Sequence, residues 1–129
     1  MTTDSVAPAG SLDVRIEPHP LGLRVHVRGA ETLENSIAYW RAILTAARDA
    51  DGCGVLLVDE LQGEPLTEEQ WLELVVQTDP DRVRRLRIAH VKPRGLQEIE
   101  YCELYARANG IDARVFVNET IAELWLREG

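Results

Sequence analysis

The sequence predicts an α/β protein: an N-terminal β-hairpin followed by βαβαβα, a mixed and mostly parallel sheet of about five strands with four helices. Three observations carry this. Residues 54–59 (Gly-Val-Leu-Leu-Val-Asp) form a continuous apolar run, the pattern of a central strand covered on both faces rather than a half-wet one. Helical patterns lie on both sides of that run. Helix-length connections between the later strands favour parallel neighbours joined by right-handed crossovers. A chain of 129 residues holds one such domain, read as residues 11–129 after a flexible leader at 1–10.

Taken in order, residues 12–17 and 23–28 alternate strictly, with Leu12, Val14, Ile16 and Leu23, Val25, Val27 on one face. The cluster Pro18, His19, Pro20, Leu21, Gly22 turns the chain between them, which makes a hairpin with one face in the core. On the wet face Asp13, Arg15 and Glu17 are placed to meet Arg24, His26 and Arg28 in cross-strand pairs. His26 is then a surface strand residue and His19 a turn residue. The first helix starts at Thr32 as N-cap. Leu33, Ile37, Trp40, Leu44 and Ala47 recur at three- and four-residue spacing, with Ile43 widening the stripe. Its polar face carries Glu34, Arg41, Arg48 and Asp49, and it ends at Asp51 and Gly52.

After the central strand a loop leads from Leu61 to Thr67, a hydroxyl cap followed by Glu68 and Glu69, whose charges suit the positive end of a helix reaching Val76. Pro80 closes that segment, and residues 81–85 are a turn or short helical stub. Residues 86–91 read as the next strand, ended by Lys92, Pro93, Arg94 and Gly95. A third helix is expected from about Leu96 to Asn109, leaving through Gly110. Residues 113–117 form the last strand. Asn118 or Thr120 caps a final helix, residues 121–126, apolar around most of its axis and therefore docked.

Composition narrows the function classes. The net charge of −8 argues against nucleic-acid binding, which needs a basic surface. No apolar run approaches the ~20 residues of a spanning helix, and residues 1–10 lack the charged and apolar regions of a secretion signal, so a cytoplasmic location is expected. Cys53 and Cys102 have no metal-ligand spacing and no histidine beside them in sequence. They read as small, partly buried thiols, without a disulfide. No metal and no cofactor is expected.

The element order ββαβαβαβα, the strand ending Val58-Asp59, and residues 113–126 (Ala-Arg-Val-Phe-Val-Asn-Glu-Thr-Ile-Ala-Glu-Leu-Trp-Leu) resemble the STAS, or SpoIIAA-like, family over roughly residues 12–128. The resemblance implies a non-enzymatic module that binds a kinase-type regulatory protein and is switched by phosphorylation of a serine opening the helix after the Val-Asp strand. The matching positions are near Thr67, Glu68 and Glu69, where no serine stands. Thr67 is therefore the candidate phosphosite, although a phosphate there would meet two glutamates, and Glu68 and Glu69 stand as a permanently charged alternative. A second branch of the family implies a small-molecule or lipid ligand, and the chain resembles that branch more.

Two candidate regions follow. The first is a binding crevice at the strand carboxyl ends, where ligands collect in open α/β sheets: Asp59, Glu60, His90, Lys92 and Arg94, with Lys92 and Arg94 near a helix N-terminus that favours an anion. The second is a partner surface at Thr67, Glu68, Glu69 and Trp71. Arg82, Arg84, Arg85, Arg87, Lys92 and Arg94 hold six of the fourteen basic residues, read as either an anion dock or a solvated edge. No catalytic residue is assigned: Asp59 and Glu60 are strand neighbours and point to opposite faces, and no GxSxG, HExxH or Walker pattern occurs. A pocket lined by Trp71, Tyr101 or Tyr105 would favour a ligand module, while an exposed patch over residues 67–71 without a cavity would favour a protein partner. A homodimer through exposed apolar surface is compatible with both.

Overall fold

A computed structural model describes residues 11–96 and 100–128. The predicted leader lies outside these, as do Gln97, Glu98 and Ile99 of the third predicted helix.

Strands β1 (Leu12–His19) and β2 (Gly22–Ala30) form the expected antiparallel hairpin. Helix α1 (Leu33–Ala47) crosses to β3 (Gly54–Gln62), which runs parallel to β2. Helices α2 (Glu68–Gln77) and α3 (Pro80–Val83) lead to β4 (Arg87–Val91), and α4 (Tyr101–Ala108) leads to β5 (Asp112–Phe116). Helix α5 (Glu119–Glu128) follows. The sheet order is β1-β2-β3-β4-β5 with β2 to β5 all parallel, so β3 is the middle strand as the apolar run requires. The described elements include five helices rather than four, because the stub after Pro80 closes one helical turn.

Successive parallel strands add in one direction, so right-handed crossovers place α1, α2 and α4 on the same face. There Leu23, Val25, Val27, Val55, Leu57 and Ile88 meet Tyr39, Trp40, Ile43, Trp71 and Leu74 in the main core. The other face holds a smaller core, Leu56, Val58, Ala89 and Val91 against Ala122 and Leu126 of α5. The strand order never reverses among the described strands, so no switch-point crevice opens at the carboxyl ends.

Several local expectations change. Thr32 caps α1 by accepting from Asn35 N–H at 3.1 Å, as read, but the buried stripe is Ser36, Tyr39, Trp40, Ile43 and Leu44, while Leu33 and Ile37 are only partly buried. The helix is rotated toward Tyr39, whose large ring fills the space above β2 and β3. Helix α4 begins at Tyr101 rather than near Leu96, which is exposed and non-helical, and it leaves through Gly110 at φ +76° as expected. On α5, Asn118 is the cap, accepting from Ile121 N–H at 3.1 Å. Only Ala122 and Leu126 are buried there; Ile121 and Leu124 face water.

The wet-face pairs also differ. The register sets Asp13 opposite Arg28, Arg15 opposite His26 and Glu17 opposite Arg24. The ion pairs run instead from Arg24 to Glu119 at 3.0 Å, from His26 and Arg28 to Glu60, and from Arg15 to its own neighbour Asp13. Strand β3 and helix α5 bring carboxylates to that face that are less exposed than those of edge strand β1. His19 is no free turn residue: its Nδ1 accepts from Leu21 N–H at 3.0 Å, so its Nε2 donates to Glu123 at 2.8 Å and ties the hairpin to α5. The outer edge of β5 is closed by α4, where Glu103 accepts from Val115 N–H and Arg107 donates to Ala113 C=O.

Candidate functional site

Asp59 and Glu60 do point to opposite faces. Glu60 turns to the α5 side, held by His26 and Arg28, and the His26 bond is the main reason its carboxyl stays below the usual range. Arg94 is exposed and acts on Glu60 by charge alone. These two of the five proposed crevice residues therefore stand apart from the rest. Asp59, His90 and Lys92, alternating along β3 and just past β4, come together on the helix-covered face.

Asp59 is buried near the end of β3, where its Oδ1 accepts from Leu61 N–H at 3.0 Å and its Oδ2 bonds His90 Nε2 at 2.8 Å. Burial alone would raise its pKa; the bond and charge of His90, with the Leu61 N–H, outweigh burial and hold it below the ordinary value. Burial likewise opposes charge on His90, yet hydrogen bonds to Asp59 and to the side chain of Cys102 raise its pKa to about 9. At neutral pH both ring nitrogens thus carry protons. Nε2 serves Asp59.

Lys92 donates to Glu100 at 2.7 Å and lies 5.9 Å from the centre of the Trp71 ring. Burial lowers its pKa, but the charges of Cys102 and Glu100 and the Glu100 bond raise it more. Cys102 lies in the first turn of α4, and its thiol donates to Glu100 Oε1 at 3.6 Å. Glu31 completes the cluster; burial and then the charge of Asp59 push its carboxyl up to about 7.

His90 and Cys102 also line an apolar cavity of about 60 Å³ walled by Trp40, Trp71, Leu74 and Val75 on one side and Ile88, Ala106 and Ala113 on the other. It lies beneath α2 and α4 against β4 and β5. Of the aromatics expected there, Trp71 is present. Tyr101 and Tyr105 stack on each other, with ring centres 6.0 Å apart, against the main core instead.

The partner-surface residues divide as well. Thr67, Glu68 and Glu69 are exposed, whereas Trp71 is 7% exposed and belongs to the core. Thr67 is a full cap: its Oγ1 accepts from Gln70 N–H at 3.2 Å while Gln70 Oε1 accepts from Thr67 N–H at 2.9 Å. The basic run does not act together. Arg82 donates to Leu44 C=O, Arg84 pairs with Asp81 and Asn109 C=O, and Arg87 pairs with Asp112 while lying 3.6 Å over the Trp125 ring. The proposed anion dock at Lys92 and Arg94 also loses its helix, since residues 92–95 form a turn and α4 starts at Tyr101.

Cys102 is the residue that sequence reasoning missed. His90 lies twelve positions away in another element, and no spacing rule connects them. Cys53, read as partly buried, is exposed in the turn before β3. Among the described residues no group of three or more His, Cys, Asp or Glu side chains is arranged to hold a metal ion, and no helix is long and apolar enough to cross a membrane.

Fold and site define an α/β protein with a mixed five-stranded sheet, whose buried polar cluster borders an apolar cavity. Compared with protein-family models and with curated proteins, the chain matches none.

Proposed function

We propose that the chain is a small-molecule-binding module of the STAS type, with its ligand seated under α2 and α4. The observation that carries this reading is the apolar cavity that His90 and Cys102 help to line. Such a space is poorly hydrated and takes apolar guests. Element order and the unreversed strand order support the STAS relationship. The ligand is short, apolar and uncharged. An anion is disfavoured because the charges of His90 and Lys92 are already balanced by Asp59 and Glu100, and displacing either carboxylate would strand a buried charge.

Native mass spectrometry of the protein purified from its source cells tests this. A retained small molecule that is lost in Ala106→Met, where the new side chain fills the cavity, supports the reading. A bare chain that also fails to take up short-chain esters or ketones refutes it.

A regulatory protein partner is the second reading, favoured by Leu72 and Val76, which are 45% and 72% exposed on α2 beyond Glu68 and Glu69. Leu72→Asp would abolish a complex formed there and leave small-molecule uptake unchanged. For the phosphoswitch, incubation with cell extract and ATP followed by intact-mass measurement decides; no mass gain on Thr67 removes it.

A further inference from the structure

We infer that two copies of the chain join through β1, antiparallel edge to edge, with Val14 opposite the partner's Val14. β1 is the outer strand of the sheet, and among the described residues its only strand partner is β2. At the other edge, Glu103 and Arg107 of α4 close β5. An open edge presents backbone N–H and C=O groups as a template for a further strand. Which groups are free follows from the ladder. Ala30 N–H donates to Ser11 C=O at 3.1 Å, and bonded positions alternate along an antiparallel pair. Residues 13, 15 and 17 therefore bond toward β2, while Leu12, Val14 and Ile16 turn their backbone groups to the open edge.

The side chains make this edge self-complementary. With Val14 at a two-fold axis, Leu12 meets the partner's Ile16 on either side, which gives about six interchain hydrogen bonds. Leu12, Val14 and Ile16 are only partly buried where they pack against the main core, so the partner's apolar residues extend that layer. On the opposite face Asp13 stands against the partner's Arg15, and Arg15 against the partner's Asp13, at the positions where side chains across a pair come closest. Both are exposed and already pair within the strand at 3.5 Å, so the axis gathers them into a ring of alternating charge. The neighbouring registers fail. Centring on Asp13 or on Arg15 sets that residue against its own copy. Centring on Ile16 brings Arg15 to the partner's Glu17 but places Pro18, which has no N–H, in the ladder opposite Val14. In the inferred register Pro18 instead ends the ladder. The cavity lies at the far side of the sheet, against β4 and β5, so this inference does not depend on the ligand reading.

An edge of about five residues is smaller than a standard interface, so monomer and dimer should exchange at micromolar concentration. Sedimentation velocity of the full chain from about 1 μM to about 1 mM, a range that spans such an equilibrium, should show monomer giving way to dimer. Val14→Pro removes the outward N–H at the centre, at a strand edge where a lone chain tolerates proline, and should abolish the dimer. Arg15→Asp sets like charges across the axis and should raise Kd at least about tenfold, while Asp13→Arg combined with Arg15→Asp should bring it back to within about threefold. Ile121→Asp, on the exposed side of α5, should leave the dimer intact. Circular dichroism checks that each variant is folded. A chain that stays monomeric throughout overturns the inference. So does a dimer that Arg15→Asp leaves unchanged or that Ile121→Asp dissolves, even if Val14→Pro does not fold. A dimer weakened by Arg15→Asp but not restored by the double reversal overturns the register.

Discussion

His90 Nε2 and Asp59 Oδ2 stand 2.8 Å apart on neighbouring strands, with side chains only 6% and 7% exposed. Two charges this deep are stable only as a pair. Each satisfies a group that would otherwise be buried without compensation. Removing one partner should therefore cost more than the pair itself contributes. We expect His90→Ala to destabilise the fold by about 3–5 kcal/mol. In urea unfolding, the double substitution with Asp59→Ala should cost less than the sum of the two singles. A loss below about 1 kcal/mol for His90→Ala would contradict a buried ion pair.

The pH dependence follows from the same cluster. Glu31 is raised to about 7 and His90 to about 9, so the folded state holds protons that the unfolded chain releases. The Glu31 contribution is full below its ordinary value and is lost as pH rises through about 7; that of His90 is lost between its ordinary value and about 9. The lowered carboxyl of Asp59 works oppositely and withdraws its stabilisation only as pH falls through the acidic range. Thermal unfolding should thus show Tm falling steadily from mildly acidic pH to pH 9. Glu31→Gln, which mimics the protonated form, should flatten the part below about pH 7. A Tm that climbs across this window would refute the assignment.

Thr67 and Gln70 close a reciprocal pair of bonds at the start of α2. Thr67→Ala should lower stability by about 1 kcal/mol and Thr67→Ser by much less, because the hydroxyl is what accepts the N–H. Chemical denaturation checks this. Equal losses in the two variants would mean that the cap contributes little.

Gly22 pairs with Gly54 between β2 and β3, and a Cβ there at φ +150° would lie 2.2 Å from Gly54 C=O. The atoms that the added carbon would meet are backbone, which cannot move aside as a side chain can. Gly22→Ala should destabilise by more than about 1 kcal/mol, whereas Gly95→Ala should be milder, since nothing lies within 4 Å of its added carbon. Parallel Tm measurements on the two variants decide.

The layered sheet was legible from short-range pattern: alternation in β1 and β2, the apolar run of β3, the Thr32 and Thr67 caps, and the Gly110 exit. Part of the site was legible too. Strand alternation places Asp59 and Glu60 on opposite faces, and His90 and Lys92 together. The third helix begins at Tyr101 rather than near Leu96, which removed the helix end on which an anion dock at Lys92 and Arg94 depended. The α1 stripe departs from the Leu33–Ile37 line because the buried ring of Tyr39 turns the helix toward itself.

By itself the sequence determined which segments are strands and helices, that the middle strand is covered on both faces, and that neighbouring carboxylates diverge, since each follows from a periodicity of two or of 3.6 residues. Tertiary structure alone decided that Cys102 and His90 line one cavity, that Lys92 is neutralised by Glu100, and that an apolar space remains beneath α2 and α4. These contacts join residues from separate elements, and their distances depend on how helices seat on the sheet, which no local spacing encodes.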